Sequence, residues 1–144
     1  MSTVRDILAK KGTTVHHIAP TASVLDALKV MASRNVGALV VLDGDHLAGI
    51  ITERDYARKI MLMGRASPTT PVSEIMSRRV ICARLDQTVS ECMAVMTARS
   101  VRHLPVLKEK KIVGLVSIGD LVKSIIEDQQ FVIEQLEHYI RGDL

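Results

Sequence analysis

A chain of 144 residues can carry a true core, since folding at this length hides roughly 70% of the surface that the unfolded chain exposes. Apolar residues make up 47% of it but aromatics only 2%, namely Tyr56, Phe131 and Tyr139, so Val, Leu, Ile, Ala and Met must form the core and a bound base cannot rely on aromatic stacking. The net charge of +3 is dispersed among acidic residues, which speaks against nucleic acid, and Cys82 and Cys92 have neither CxxC nor Cys/His spacing, so they read as buried thiols in a reducing compartment.

In chain order, a short helix is expected over residues 3–11, then a β-branched strand over 15–18. A helix over 23–34 follows, with Ser23 as N-cap and Val24, Leu28 and Met31 on one face. Two strands, GALVVLD (37–43) and HLAGIIT (46–52), are joined at Asp43-Gly44-Asp45, a tight hairpin. A second helix runs from after Thr52 to about Met63, and GRASPTTPV (64–72) is a polar, proline-bearing linker. The order then returns: a short helix over 72–76, a strand over 80–83, and a helix over 88–99 with Thr88 as N-cap and Val89, Met93 and Met96 inward. The next hairpin turns through Lys108-Glu109-Lys110-Lys111, without glycine, and its helix runs from after Ser117 to about Glu127. The last segment, QQFVIEQLEHYIR (129–141), carries Val132, Leu136 and Ile140 at i, i+4 and i+8. That stripe needs a partner, either the domain's own core or another subunit. Charge interrupts the apolar residues near the start, and the longest apolar stretch, Val36 to Leu42, is far short of a membrane span, so a soluble, cytoplasmic protein is expected.

Displaced by 65 positions, the chain matches itself: Val15 with Val80, Met31 with Met96, Arg34 with Arg99, Leu39 with Leu104, Gly49 with Gly114 and Asp55 with Asp120. Upstream the offset is 68, with VRDIL (4–8) against VSEIM (72–76). The divisions are therefore 1–66, 67–128 and a helical extension, 129–144. The expected fold is α/β (α+β), two β-α-β-β-α units packed sheet to sheet about a pseudo-twofold axis, which would leave two symmetry-related clefts.

Each unit closes its last strand in the same way, GIITERD (49–55) and GLVSIGD (114–120). Thr52 with Asp55, and Ser117 with Asp120, have the spacing of a capping box with Asp in the place of Glu or Gln. The same residues suit a ribose clamp: a helix N-terminus offers free N–H groups, the hydroxyl can bond a ribose or phosphate oxygen, and the carboxylate can accept from both ribose hydroxyls. Duplication in register favours the clamp.

This doubled pattern, with VGALVV (36–41) and VRHLPV (101–106) in the expected place, resembles the CBS domain, and the tandem pair resembles a stand-alone Bateman module over nearly all of residues 3–127. The resemblance implies a regulatory sensor that binds an adenosine-containing ligand, AMP, ADP, ATP, NAD(H) or S-adenosylmethionine, between its repeats, with no cofactor required. It implies association into a homodimer and output to a separate regulated protein. It places a phosphate-contacting pair at Arg102 and His103, where the first copy has Gly37 and Ala38, so the Asp120 cleft should be the stronger phosphate site and Arg54 would partly compensate in the other. Adenine would lie between Val36 and Leu115 in one cleft and between Val101 and Ile50 in the other, with main chain near His16 and Ile81 reading its edge.

Other groups carry less. His16 and His17 are adjacent, so on a strand they face opposite ways and cannot share a metal, and no metal site is expected. No Ser-His-Asp order, Walker loop or GxGxxG is present, and no enzyme is expected. The methionines read mostly as core, Met61 and Met63 as spare surface for dimerisation, and Arg78-Arg79 as a solvated turn. The competing function is a constitutive interaction or oligomerisation module with vestigial clefts.

Overall fold

Thr3, Ser23, Thr52, Thr88 and Ser117 each put a hydroxyl one residue ahead of a helix. In the computed structural model, which describes residues 2–142, all five accept a hydrogen bond from the backbone N–H three residues on. Asp6, Asp55, Glu91 and Asp120 return the bond to the capping residue and complete capping boxes. These five helices, with α4, which starts after Pro71, and the strands between them, are α1 (Val4–Lys11), β1 (His17–Ile18), α2 (Val24–Arg34), β2 (Ala38–Asp43), β3 (His46–Thr52), α3 (Glu53–Tyr56), α4 (Val72–Ile75), β4 (Ala83–Arg84), α5 (Val89–Arg99), β5 (His103–Lys108), β6 (Lys111–Ser117) and α6 (Ile118–Arg141).

Two three-stranded sheets result, in the orders β1-β2-β3 and β4-β5-β6. In the first, β1 is parallel to β2 and β2 antiparallel to β3; in the second, β4 is parallel to β5. The mixed α+β architecture is the one expected, with the β-α-β-β-α order written twice.

The compact units cut across the repeats. One holds residues 14–81 with 110–113, and the other holds 82–109 and 114–142 together with residues 2–13. Helix α1, first in the chain, is therefore seated on the second repeat: Val4 and Arg5 donate N–H groups to the carbonyls of Gln87 (2.9 Å) and Leu85 (3.0 Å), and Val89 donates to Ser2 (3.0 Å). Helix α4 is seated on the first repeat, where Val72 donates to Ala22 (2.8 Å) and Ser73 to Pro20 (3.0 Å). In that unit Val24, Ala27 and Met31 of α2 meet Leu39, Val41 and Ile51 of the sheet, with Val72, Ile75 and Met76 closing the same core. In the other, Val4, Ile7 and Leu8 are buried, as are Val89, Cys92 and Met96 of α5 and Leu104, Val106 and Val116 of the sheet.

Several elements differ from expectation. The strand foreseen over 15–18 narrows to His17–Ile18, although the His16 carbonyl still accepts from Val40 N–H at 3.3 Å. The strand foreseen over 80–83 lies at Ala83–Arg84, where pairing with Val106 and Leu107 fixes it. After Thr52 only four residues are α-helical; Ala57–Met61 widen into a π-turn, with Leu62 N–H reaching back five residues to the Ala57 carbonyl. The final helix does not stop near Glu127: no glycine or proline interrupts the chain between Gly119 and Gly142, and α6 runs unbroken for 24 residues, about 36 Å. Val132, Leu136 and Ile140 are 54%, 56% and 81% exposed, so the stripe does not cover the core among the described residues. None of the described helices is long and apolar enough to cross a membrane.

Candidate functional site

At the end of β3, Glu53 N–H donates to the Gly37 carbonyl (3.1 Å), which ties the start of α3 to the strand opening at β2. Asp55 Oδ2 accepts from Thr52 N–H (3.0 Å) and Thr52 Oγ1 (3.1 Å), while Thr52 Oγ1 accepts from Asp55 N–H (3.1 Å). The other carboxylate oxygen, Oδ1, faces Lys59 Nζ at 3.3 Å, and that ammonium also donates to the Ile75 carbonyl (2.8 Å). Asp55 is buried with both oxygens engaged inside its own unit. In the same unit Ile50 is buried in β3, Val36, His16 and Ile81 are half-buried, and Arg54 is exposed.

The second copy repeats the frame but not the charges. Ile118 N–H donates to the Arg102 carbonyl (2.9 Å), which brings the Arg102-His103 pair to the start of α6. Asp120 N–H donates to Ser117 Oγ (3.2 Å), and Asp120 Oδ2 accepts from Ser117 N–H (2.8 Å). A third donor comes from α1: Lys11 Nζ lies 2.6 Å from Asp120 Oδ2 and 2.7 Å from the Leu115 carbonyl. The hydrogen bonds to the Asp120 carboxylate therefore fall on Oδ2 among the described residues, whereas those to Asp55 occupy both oxygens. Burial raises the Asp120 carboxyl pKa, but the bonds from Lys11 and Ser117 outweigh it and hold the group below its ordinary value. His103 is pushed the other way for a cation: burial first, then Lys11 and Arg102, lower its pKa against the pull of Asp120. Near neutral pH the exposed Arg102 is the fixed charge of the pair, and His103 is weighted toward neutral imidazole. Val101 and Leu115 are half-buried.

The two glycines serve packing. A Cβ at Gly49 would lie 2.7 Å from the Ser77 carbonyl oxygen and 2.9 Å from Met76 Sδ; at Gly114 it would meet both Leu8 Cδ atoms at 2.7 Å. Each glycine thus lets the segment around α4 or α1 close on the strand. Lys11 was not foreseen as part of the site, because nothing local says that α1 docks on the second repeat; the offset of 68, which aligns Lys11 with Arg79, was the available hint. Among the described residues no group of three His, Cys, Asp or Glu side chains is disposed to hold a metal ion.

Two β-α-β-β-α units, each ending in a capped helix after a glycine-bearing strand, define a tandem repeat module of the CBS type. The CBS domain model matches residues 3–62 and 72–127, and the chain belongs to the CBS domain family. It is 39% identical to the mitochondrial CBS domain-containing protein CBSX3 of Arabidopsis thaliana over 98% of this chain and 73% of that one. A solved protein with CBS domains from Burkholderia ambifaria is 50% identical, with a TM-score of 0.86 over 89% of this chain and 96% of the other. The CBS domain pair of protein MJ0100, solved in complex with 5′-methylthioadenosine and S-adenosyl-L-methionine, is 25% identical, with a TM-score of 0.74 over 89% of this chain and 98% of the other.

Proposed function

We propose that this CBS domain pair is a regulatory module that binds an adenine nucleotide, AMP, ADP, ATP or NAD(H), and signals to a separate partner protein rather than catalysing a reaction. The observation that carries the reading is the doubled helix start, in which a hydroxyl and a carboxylate stand together at Thr52/Asp55 and Ser117/Asp120. The adenosine compounds bound by MJ0100 support it. Of the two positions the Asp120 one is the better suited, because Asp55 has spent both oxygens on Thr52 and Lys59 while Asp120 keeps Oδ1 for a ribose hydroxyl. In this reading Ser117 bonds a ribose or phosphate oxygen, and Arg102 and His103 meet the phosphate. Arg54 serves the weaker position.

Output passes through a homodimer in this account, formed along the exposed apolar face of α6. A cytoplasmic or other reducing compartment fits Cys82 and Cys92, which form no disulfide among the described residues. A second reading, a constitutive assembly module that binds no ligand, is favoured by that same face, with Asp55 and Asp120 serving as helix caps.

Calorimetry of the full chain against AMP, ATP, NAD, NADH and S-adenosylmethionine separates the two. Saturable binding of one ligand, weakened by Asp120→Asn, supports the sensor. Silence across the panel with self-association intact supports the assembly module.

A further inference from the structure

Helix α6 turns Leu121 and Ser124 into its own unit and leaves a second stripe facing outward. Ile118, Val122, Ile126, Ile133, Leu136 and Ile140 form it, all exposed and all on one face of a 3.6-residue helix over about 33 Å. Every residue from 126 to 141 is exposed, and a solitary helix of about 15 residues is marginal in water, so this face needs cover. The order of residues along it says what kind. Gln129, exposed on the same face, stands midway between Ile118 and Ile140, and the stripe reads alike from either end. Laid antiparallel on a second copy about Gln129, Ile118 meets the copy's Ile140, Val122 its Leu136, and Ile126 its Val132 and Ile133. A twofold interface demands this self-complementarity, which a foreign partner would not.

The polar groups agree. Gln129 would be costly to cover alone, but a side-chain amide both donates and accepts, so the two copies' amides satisfy each other on the axis. Lys123 and Glu137 lie along one edge of the stripe near its opposite ends, and neither forms an ion pair among the described residues. The antiparallel register brings Lys123 of each copy to Glu137 of the other, and the helix dipoles oppose. A parallel register would set Lys123 beside Lys123 and Glu137 beside Glu137. We propose that α6 pairs antiparallel with α6 of a second copy, with Gln129 on the twofold axis and Lys123 facing Glu137. This rests on the homodimer proposed above and supplies its register and orientation.

The test is disulfide trapping in the full chain. Val122→Cys and Leu136→Cys are each oxidised alone and as an equal mixture, beside oxidised wild type to account for Cys82 and Cys92, and mass spectrometry of the tryptic peptides names the residues joined. A 122–136 link in the mixture, with neither variant linking to itself, is expected. Both side chains are exposed, so the variants fold; Ile118→Cys mixed with Ile140→Cys repeats the test one step further from the axis. Lys123→Glu should raise the dimer Kd about tenfold, and adding Glu137→Lys should restore it. Self-linking of Val122→Cys and of Leu136→Cys shows the parallel register and overturns the proposal while the dimer stands. A wild type that is monomeric by light scattering overturns both, and a dimer with no link in any sample places the interface elsewhere and overturns the proposal.

Discussion

Lys11, in the last turn of α1, holds its Nζ 2.6 Å from Oδ2 of Asp120, in the first turn of α6. A cation at one helix C-terminus meets an anion at another helix N-terminus, so each dipole favours the charge placed on it. Both side chains are partly exposed, which tempers the pair. Lys11→Met is expected to cost about 1 kcal/mol at neutral pH. Asp120 has its folded pKa below the ordinary carboxylate value, so its contribution is present above that value and is lost as pH falls through the lower folded one. The gap between wild type and Lys11→Met should accordingly close in acid, which urea midpoints at neutral and strongly acidic pH will measure.

Gly49→Ala should be more damaging than Gly114→Ala. The first Cβ runs into the Ser77 carbonyl, backbone that is held by paired hydrogen bonds to Ile50 at 3.0 and 2.9 Å; the second meets only the Leu8 side chain. A loss of about 2 to 3 kcal/mol against about 1 to 2 is expected from the scale of overpacking. Thermal melts of the two variants check the order.

The turn between β5 and β6 puts Glu109 and Lys110 at φ of 52° and 67°, a region costly to side chains. Replacing the pair by Asn-Gly, which suits two successive residues of positive φ, is expected to stabilise the fold by about 1 kcal/mol. The thermal midpoint should rise by about 3 °C.

Much of this architecture was legible because it is local and written twice. Ser23 and Thr88 announce helix starts, an unbroken apolar run marks β2, and the 65-residue offset shows two units. Contacts between distant segments were not legible. Periodicity in VRDIL describes an amphipathic helix but not which sheet receives it, and so neither the seating of α1 on the second repeat nor the bond from Lys11 to Asp120 followed. The Thr52–Asp55 and Ser117–Asp120 pairs were found as pairs, and their difference lies in Lys59 and Lys11, which only packing brings to them. The short β4 illustrates the same limit, since its position depends on Val106 and Leu107.

Helix α6 ends in an exposed face bearing Ile133, Leu136 and Ile140. Leu136→Glu with Ile140→Glu is expected to convert a homodimer to a monomer without lowering the monomer's thermal midpoint, because neither side chain touches the core. Light scattering after size exclusion reads the mass, and a monomeric wild type would remove the dimer from this account.

The most direct measurement is calorimetric titration of AMP and 2′-deoxy-AMP into the wild-type protein and Asp120→Asn. The account predicts saturable AMP binding that loses roughly 10- to 150-fold, about 1.5 to 3 kcal/mol, in the variant, with a matching loss for the deoxynucleotide in the wild type. AMP binding of equal strength in folded Asp120→Asn, with no discrimination against the missing hydroxyl, would contradict the ribose role and leave Ser117 and Asp120 as a helix cap alone.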